Sequence, residues 1–188
     1  ATIASDGQWR FPPRARVPDK FRRAIVEFED RRFYSHAGVD PLAVARAIRD
    51  NRSAGQVVSG ASTLTMQVIR LSRAPRPRTV GEKLAEMLLA LRLEMREDKE
   101  GILALFASHA PFGGNVVGLD AAAWRWFGRP PESLSWAESA LLAVLPNNPA
   151  LMHPGRNREA LAAKRDRLLE ALRDSGALDD ETCRLARA

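Results

Sequence analysis

Apolar residues in this chain recur at intervals of three and four, and capping residues stand ahead of most such runs, so it is constrained to fold as packed amphipathic helices. Phe21, Ile25 and Phe28 keep this spacing behind Asp19, which can cap their helix. Asp40-Pro41 starts a second helix, with proline at its first position, that fades by Asn51. Residues 50–60 read as a mobile polar loop. Ser62 is expected to cap a third helix through Leu71, followed by a proline- and arginine-rich connector from Ser72 to Arg78. Thr79 with Glu82 forms a capping box for a helix bearing Leu84, Leu88 and Leu91, and Ser135 with Glu138 forms another for a helix ending before Pro146. Helices are also expected over 98–108, 121–127 and 158–175, the last stopped by Gly176, with a short one closing the chain. Asp6-Gly7, between Thr2-Ile3-Ala4 and Trp9-Arg10-Phe11, suggests a small hairpin. The reading is an all-α fold with a short N-terminal hairpin.

The 188 residues suffice for one domain, or one with a small lobe, and 45% hydrophobic with 28% charged residues argues for a packed core. The longest apolar runs, such as Ile102–Ala107 and Ala140–Leu145, fall far below the ~20 residues of a membrane span. The start of the chain carries no signal-peptide pattern. A lone cysteine, Cys183, gives no intrachain disulfide, and with His36, His109 and His153 at no ligand spacing a zinc site is not credible. The net charge is +6, nearly all its cations arginine. Arginine suits an anionic partner, although a GC-rich genome that uses Arg and Ala freely accounts for the same composition.

Three clusters carry chemistry. Glu29, in Glu29–Asp40, shares a helical face with Ile25, Val26 and Phe33. A carboxylate among apolar neighbours is a stronger base; alternatively Glu29 pairs with Arg22 or Arg32. In Gly60–Gln67, small residues run into a helix start whose free N–H groups suit an anion, and Arg70, Arg73, Arg76 and Arg78 follow. Together they suit a pyrophosphate, or they form an ordinary cap and a solvated basic linker. Third, Lys83 and Glu86 lie three apart on one helix, an arrangement fit for catalysis or for helix stabilisation alone.

In this order the clusters resemble glycosyltransferase family 51, the peptidoglycan glycosyltransferase domain of class A penicillin-binding proteins and monofunctional transglycosylases. Glu-Asp-x-x-Phe-x-x-His-x-Gly runs from Glu29 to Gly38, and Gly-x-Ser-Thr-x-x-x-Gln from Gly60 to Gln67. The third motif is represented by Lys83 and Glu86, the fourth by Lys99 through Leu103, and the fifth by Leu134 to Pro146. Ala110–Gly114 and Gly60–Gln67 further resemble the 1C subtype. The chain departs from the family pattern at Ala61, at Glu82, which takes the place of one of a basic pair, and at Phe106-Ala107-Ser108. No Ser-x-x-Lys occurs, so a penicilloyl-type serine site is absent.

The resemblance implies that residues 1–188 form one glycosyltransferase domain, a lysozyme-like helical head with a small mobile jaw inserted at roughly 41–80. It implies an inverting polymerisation of lipid II, with Glu29 and Glu86 catalytic. Asp30, Arg46, Ser62, Gln67, Arg70, Arg78 and Lys83 match positions that contact substrate. The implied partners are lipid II, the growing glycan on undecaprenyl pyrophosphate, a membrane surface and a transpeptidase domain in a longer parent, with no nucleic acid. A divalent cation, Mg2+ or Mn2+, stimulates some members, but no ligand set here demands one. The implied location is the periplasmic face of the inner membrane, with the anchor absent from this chain. Val57 and Val58 are expected to help the jaw meet lipid. The rival readings are a glycan-cleaving lytic transglycosylase or lysozyme, and a basic nucleic-acid-binding module, which lacks a reading helix or zinc motif.

Overall fold

The computed structural model describes residues 2–3, 7–56, 60–73, 77, 79–146 and 158–188. Val57, Val58, Arg76 and Arg78 lie outside the described residues. The chain divides into two compact units, one made of residues 1–31 and 103–188 and the other of residues 32–102. The range 41–80, expected as an insertion, falls within the second.

In the first unit, β1 (Thr2–Ile3) and β2 (Trp9–Arg10) form the expected antiparallel hairpin, with Thr2 opposite Arg10 and Ile3 opposite Trp9. The backbone of Trp9 also joins residues 115–117: its N–H donates to Asn115 O at 2.7 Å, and Val117 N–H donates to Trp9 O at 3.0 Å. Helix α1 (Asp19–Glu29) packs against α7 (Trp136–Val144) and α8 (Arg158–Asp174), which also pack against each other. Their buried residues include Phe21, Ala24 and Ile25 of α1, Leu142 and Ala143 of α7, and Leu169 and Leu172 of α8. Each fully buried large side chain contributes ~1.5–3 kcal/mol, so this core fixes the axis of α1 and the position of Glu29 at its end. Helices α6 (Leu119–Phe127) and α9 (Asp180–Arg187) pack on α7 and α8. The capping box of Ser135 and Glu138 at the head of α7 is present in both directions.

The second unit contains α2 (Pro41–Ala54), α3 (Leu64–Leu71) and α4 (Val80–Glu94), and the chain leaves it within α5 (Lys99–His109). Short 3-10 turns at Phe33–Ser35 and Pro131–Ser133 complete the described elements.

Local expectations shift in four places. Pro18 stands at the N-cap of α1 with no side-chain cap bond, and Asp19 instead sits in the first turn and pairs with Arg22 and Arg23. A carboxylate there is favoured by the helix dipole. Helix α2 continues through Ala54 to a left-handed Gly55, so the first half of the expected loop is helix. Polar residues on an exposed helix mimic a loop in composition. Thr63, not Ser62, caps α3: its buried hydroxyl accepts from Met66 N–H at 3.2 Å and donates to Gly38 O at 2.6 Å.

The largest difference is the orientation of α4. Val80, Leu84, Leu88, Leu91 and Met95 fall within one narrow stripe at 3.6 residues per turn, and all five are exposed, Leu88 to 69%. The opposite face, with Glu82, Glu86, Ala90 and Glu94, is the one turned inward. Gly38 packs against it with φ +89°, and a Cβ there would stand 2.7 Å from Ala90 O.

Gly38→Ala is therefore expected to cost at least ~2 kcal/mol, from left-handed strain plus the collision with backbone. At Gly55, where φ is +64° and nothing lies within 4 Å, alanine is expected to cost only ~1–2 kcal/mol. Thermal melts of the two variants compare them directly.

Candidate functional site

Every carboxylate on the inner face of α4 meets a cation. Arg70, in the last turn of α3, forks onto Glu86: Nε donates to Oε1 and Nη2 to Oε2, each at 2.8 Å. Glu86 is buried, while the Arg70 side chain keeps 37% exposure. Arg70 Nη2 also reaches Ser62 Oγ at 3.4 Å, which ties the residue before the α3 cap into the same group. Nearer the connector, Arg73 pairs with Glu82. At the other end of α4, Glu94 Oε1 accepts from Thr65 Oγ1 at 2.6 Å and Lys99 Nζ at 2.7 Å.

Lys99 accounts for the fourth motif. Its ammonium also donates to His36 O at 2.6 Å and lies 4.5 Å from the centroid of the Phe33 ring, a cation–π contact. Next to it, Tyr34 OH donates to Glu100 at 2.9 Å. The first two residues of α5 thus hold the segment that follows Glu29–Asp30 at three points. Sequence reasoning missed Thr63, Thr65 and Glu94; the signal available was Glu94 at eight residues from Glu86, on one helical face.

Glu29, the last residue of α1, is half-buried and its Oε1 is shielded from solvent. Asp30 is the buried C-cap, its N–H donating to Val26 O. Two residues before Glu29, Glu27 pairs with Arg31 at 2.7 Å, and burial raises its pKa against the opposing pull of Arg31.

The structure brings Ser62, Arg70 and Glu86 together. Gln67 is half-buried on α3, and Arg46 is exposed on α2. Lys83 is exposed, and the partner of Glu86 is Arg70 rather than Lys83, because α4 turns position 86 toward α3. Among the described residues no group of three or more His, Cys, Asp or Glu side chains could hold a metal ion.

A family model described as Transglycosylase matches residues 2–173. The chain is 41% identical over 184 residues to penicillin-binding protein 1C of Escherichia coli, covering 97% of this chain and 24% of that protein. It is 36% identical over 166 residues to penicillin-binding protein 1A of Aquifex aeolicus, covering 88% and 23%. The chain thus spans about a quarter of the length of these curated relatives. Its fold matches a crystal structure of penicillin-binding protein 1A from Haemophilus influenzae with a TM-score of 0.56 at 19% identity, covering 96% of this chain and 17% of that one.

Removing Arg70 takes two charge-assisted bonds from a buried carboxylate, a loss larger than that of a surface pair. Arg70→Ala is expected to cost ~2–3 kcal/mol at neutral pH, with much of it recovered in the double variant with Glu86→Gln. A double-mutant cycle by denaturant unfolding reads that coupling; additive losses would mean that the fork contributes nothing specific.

Proposed function

The chain belongs to the transglycosylase family, and we propose that it polymerises lipid II into glycan strands with inversion at the donor anomeric carbon. The observation that carries this reading is the family match over residues 2–173, which contains the run Glu29–Gly38, Gly60–Gln67 and Glu86 in order.

Glu29 is the general base. Its shielded oxygen takes the proton of the acceptor sugar 4-hydroxyl as that oxygen forms the bond to the donor anomeric carbon. The bond from that carbon to the diphosphate oxygen breaks, and undecaprenyl pyrophosphate departs with the electron pair. The growing negative charge is stabilised by cations, and Arg70, Arg78 and Lys83 take that role. Glu86 holds the Arg70 guanidinium in a fixed plane through its two bonds. Ser62 supports the same guanidinium, and Asp30, Arg46 and Gln67 complete the substrate contacts.

The membrane is a partner in this reading because the donor and acceptor are lipids. The outward stripe of α4 offers leucines with Arg92 and Arg96 exposed beside them, the composition of a helix lying in an interface. No helix among the described residues is long and apolar enough to cross a bilayer. The reading includes a longer parent carrying a transpeptidase domain and working at the periplasmic face of the inner membrane.

Incubation with labelled lipid II tests the activity: polymer supports it, whereas release of muropeptides from sacculi would favour glycan cleavage. Glu29→Gln keeps the side-chain shape but cannot accept the proton, so polymerisation is expected to fall at least ~100-fold with little change in melting temperature. Wild-type turnover in that variant would remove Glu29 from the mechanism.

Leu84→Ser with Leu88→Ser removes exposed apolar surface only. Binding to anionic lipid vesicles, read by co-sedimentation, is expected to weaken at least ~tenfold, with unfolding changed by less than ~1 kcal/mol.

A further inference from the structure

Two ion pairs join the end of α3 to the start of α4, and they differ in how easily each can open. Glu86 accepts two bonds from Arg70 at 2.8 Å, with the carboxylate side chain only 9% exposed. Opening that fork would take two charge-assisted bonds from a charge held away from water. Arg73 and Glu82 are 21% and 20% exposed, so of the two carboxylates Glu82 is the one nearer to solvent and strands less charge on turning outward. Arg73 N–H donates to Arg70 O at 3.3 Å, which continues the turn beyond α3 and carries both guanidiniums toward α4. Two guanidiniums on adjacent turns offer the paired donors that a diphosphate requires.

We propose that Glu82 sets how tightly this chain holds a diphosphate: it occupies Arg73 in the free protein and is displaced when the diphosphate arrives, while Glu86 stays on Arg70. This rests on the reading above and adds to it the residue that limits the affinity. The departure at Glu82 then has a use. A carboxylate beside the anion weakens the hold on the diphosphate, and so favours its release once the glycosidic bond has formed.

Calorimetric titration of the 188-residue chain with inorganic pyrophosphate tests this. Glu82→Gln removes the competing charge and is expected to bind at least about three- to fivefold tighter than the parent, the scale of one weak ion pair. That gain should vanish in the double variant with Arg73→Ala. Glu97→Gln makes the same charge change on an exposed residue beyond α4 and should leave affinity unchanged. If Glu82→Gln binds no tighter while Arg70→Lys binds more weakly, Glu82 does not limit the affinity, and the diphosphate reading stands. Equal tightening by Glu97→Gln would reduce the effect to net charge and overturn the proposal. Parent-like binding by both Arg70→Lys and Arg73→Ala would overturn the diphosphate site itself.

Discussion

The second unit depends on the polar inner face of α4. Carboxylates at 82, 86 and 94 face α3 and the start of α5, and each is met by a cation: Arg73, Arg70 and Lys99. Position 90, on the same face, is alanine, and there the backbone of Gly38 comes close. A helix with this inner face cannot be held by apolar burial alone. Its orientation follows from charge-assisted hydrogen bonds that cost far more to break than an exposed pair.

That arrangement explains what the sequence made legible. Helices, their order and most of their ends followed from periodicity and caps, because these are local. Ser135 and Glu138 sit three apart and close on each other with no help from the rest of the chain. Thr63 and Ser62 are adjacent and equally suited to cap α3; the choice between them was made by Gly38 O, far away in sequence. In the same way the period of Leu84, Leu88 and Leu91 revealed a stripe but not which side it faces. The direction depends on partners for Glu86 and Glu94, and those lie 16 residues before and five after.

The candidate site was legible as residue types in order, and less so as pairings. Lys83, one turn from Glu86 on the same helix, suggested itself as the partner, but its side chain is exposed while Glu86 is buried under the Arg70 fork. Lys99 was visible only as the head of a motif. Its work is to gather a carbonyl, a carboxylate and an aromatic ring at one ammonium, and three elements must already be folded for that to happen.

The seam between Trp9 and residues 115–117 carries a separate consequence. The stretch Pro111–Val117 has little regular structure of its own, and part of its backbone pairing is lent by a strand about a hundred residues earlier. Asn115 adds a side-chain bond to Gly7 O at 2.9 Å. Anyone choosing where to begin an excised version of this domain is thereby choosing how well ordered the loop between α5 and α6 will be. A start at residue 11 would keep the described helices and leave Asn115 O, Val117 N–H and the Asn115 side chain without these partners.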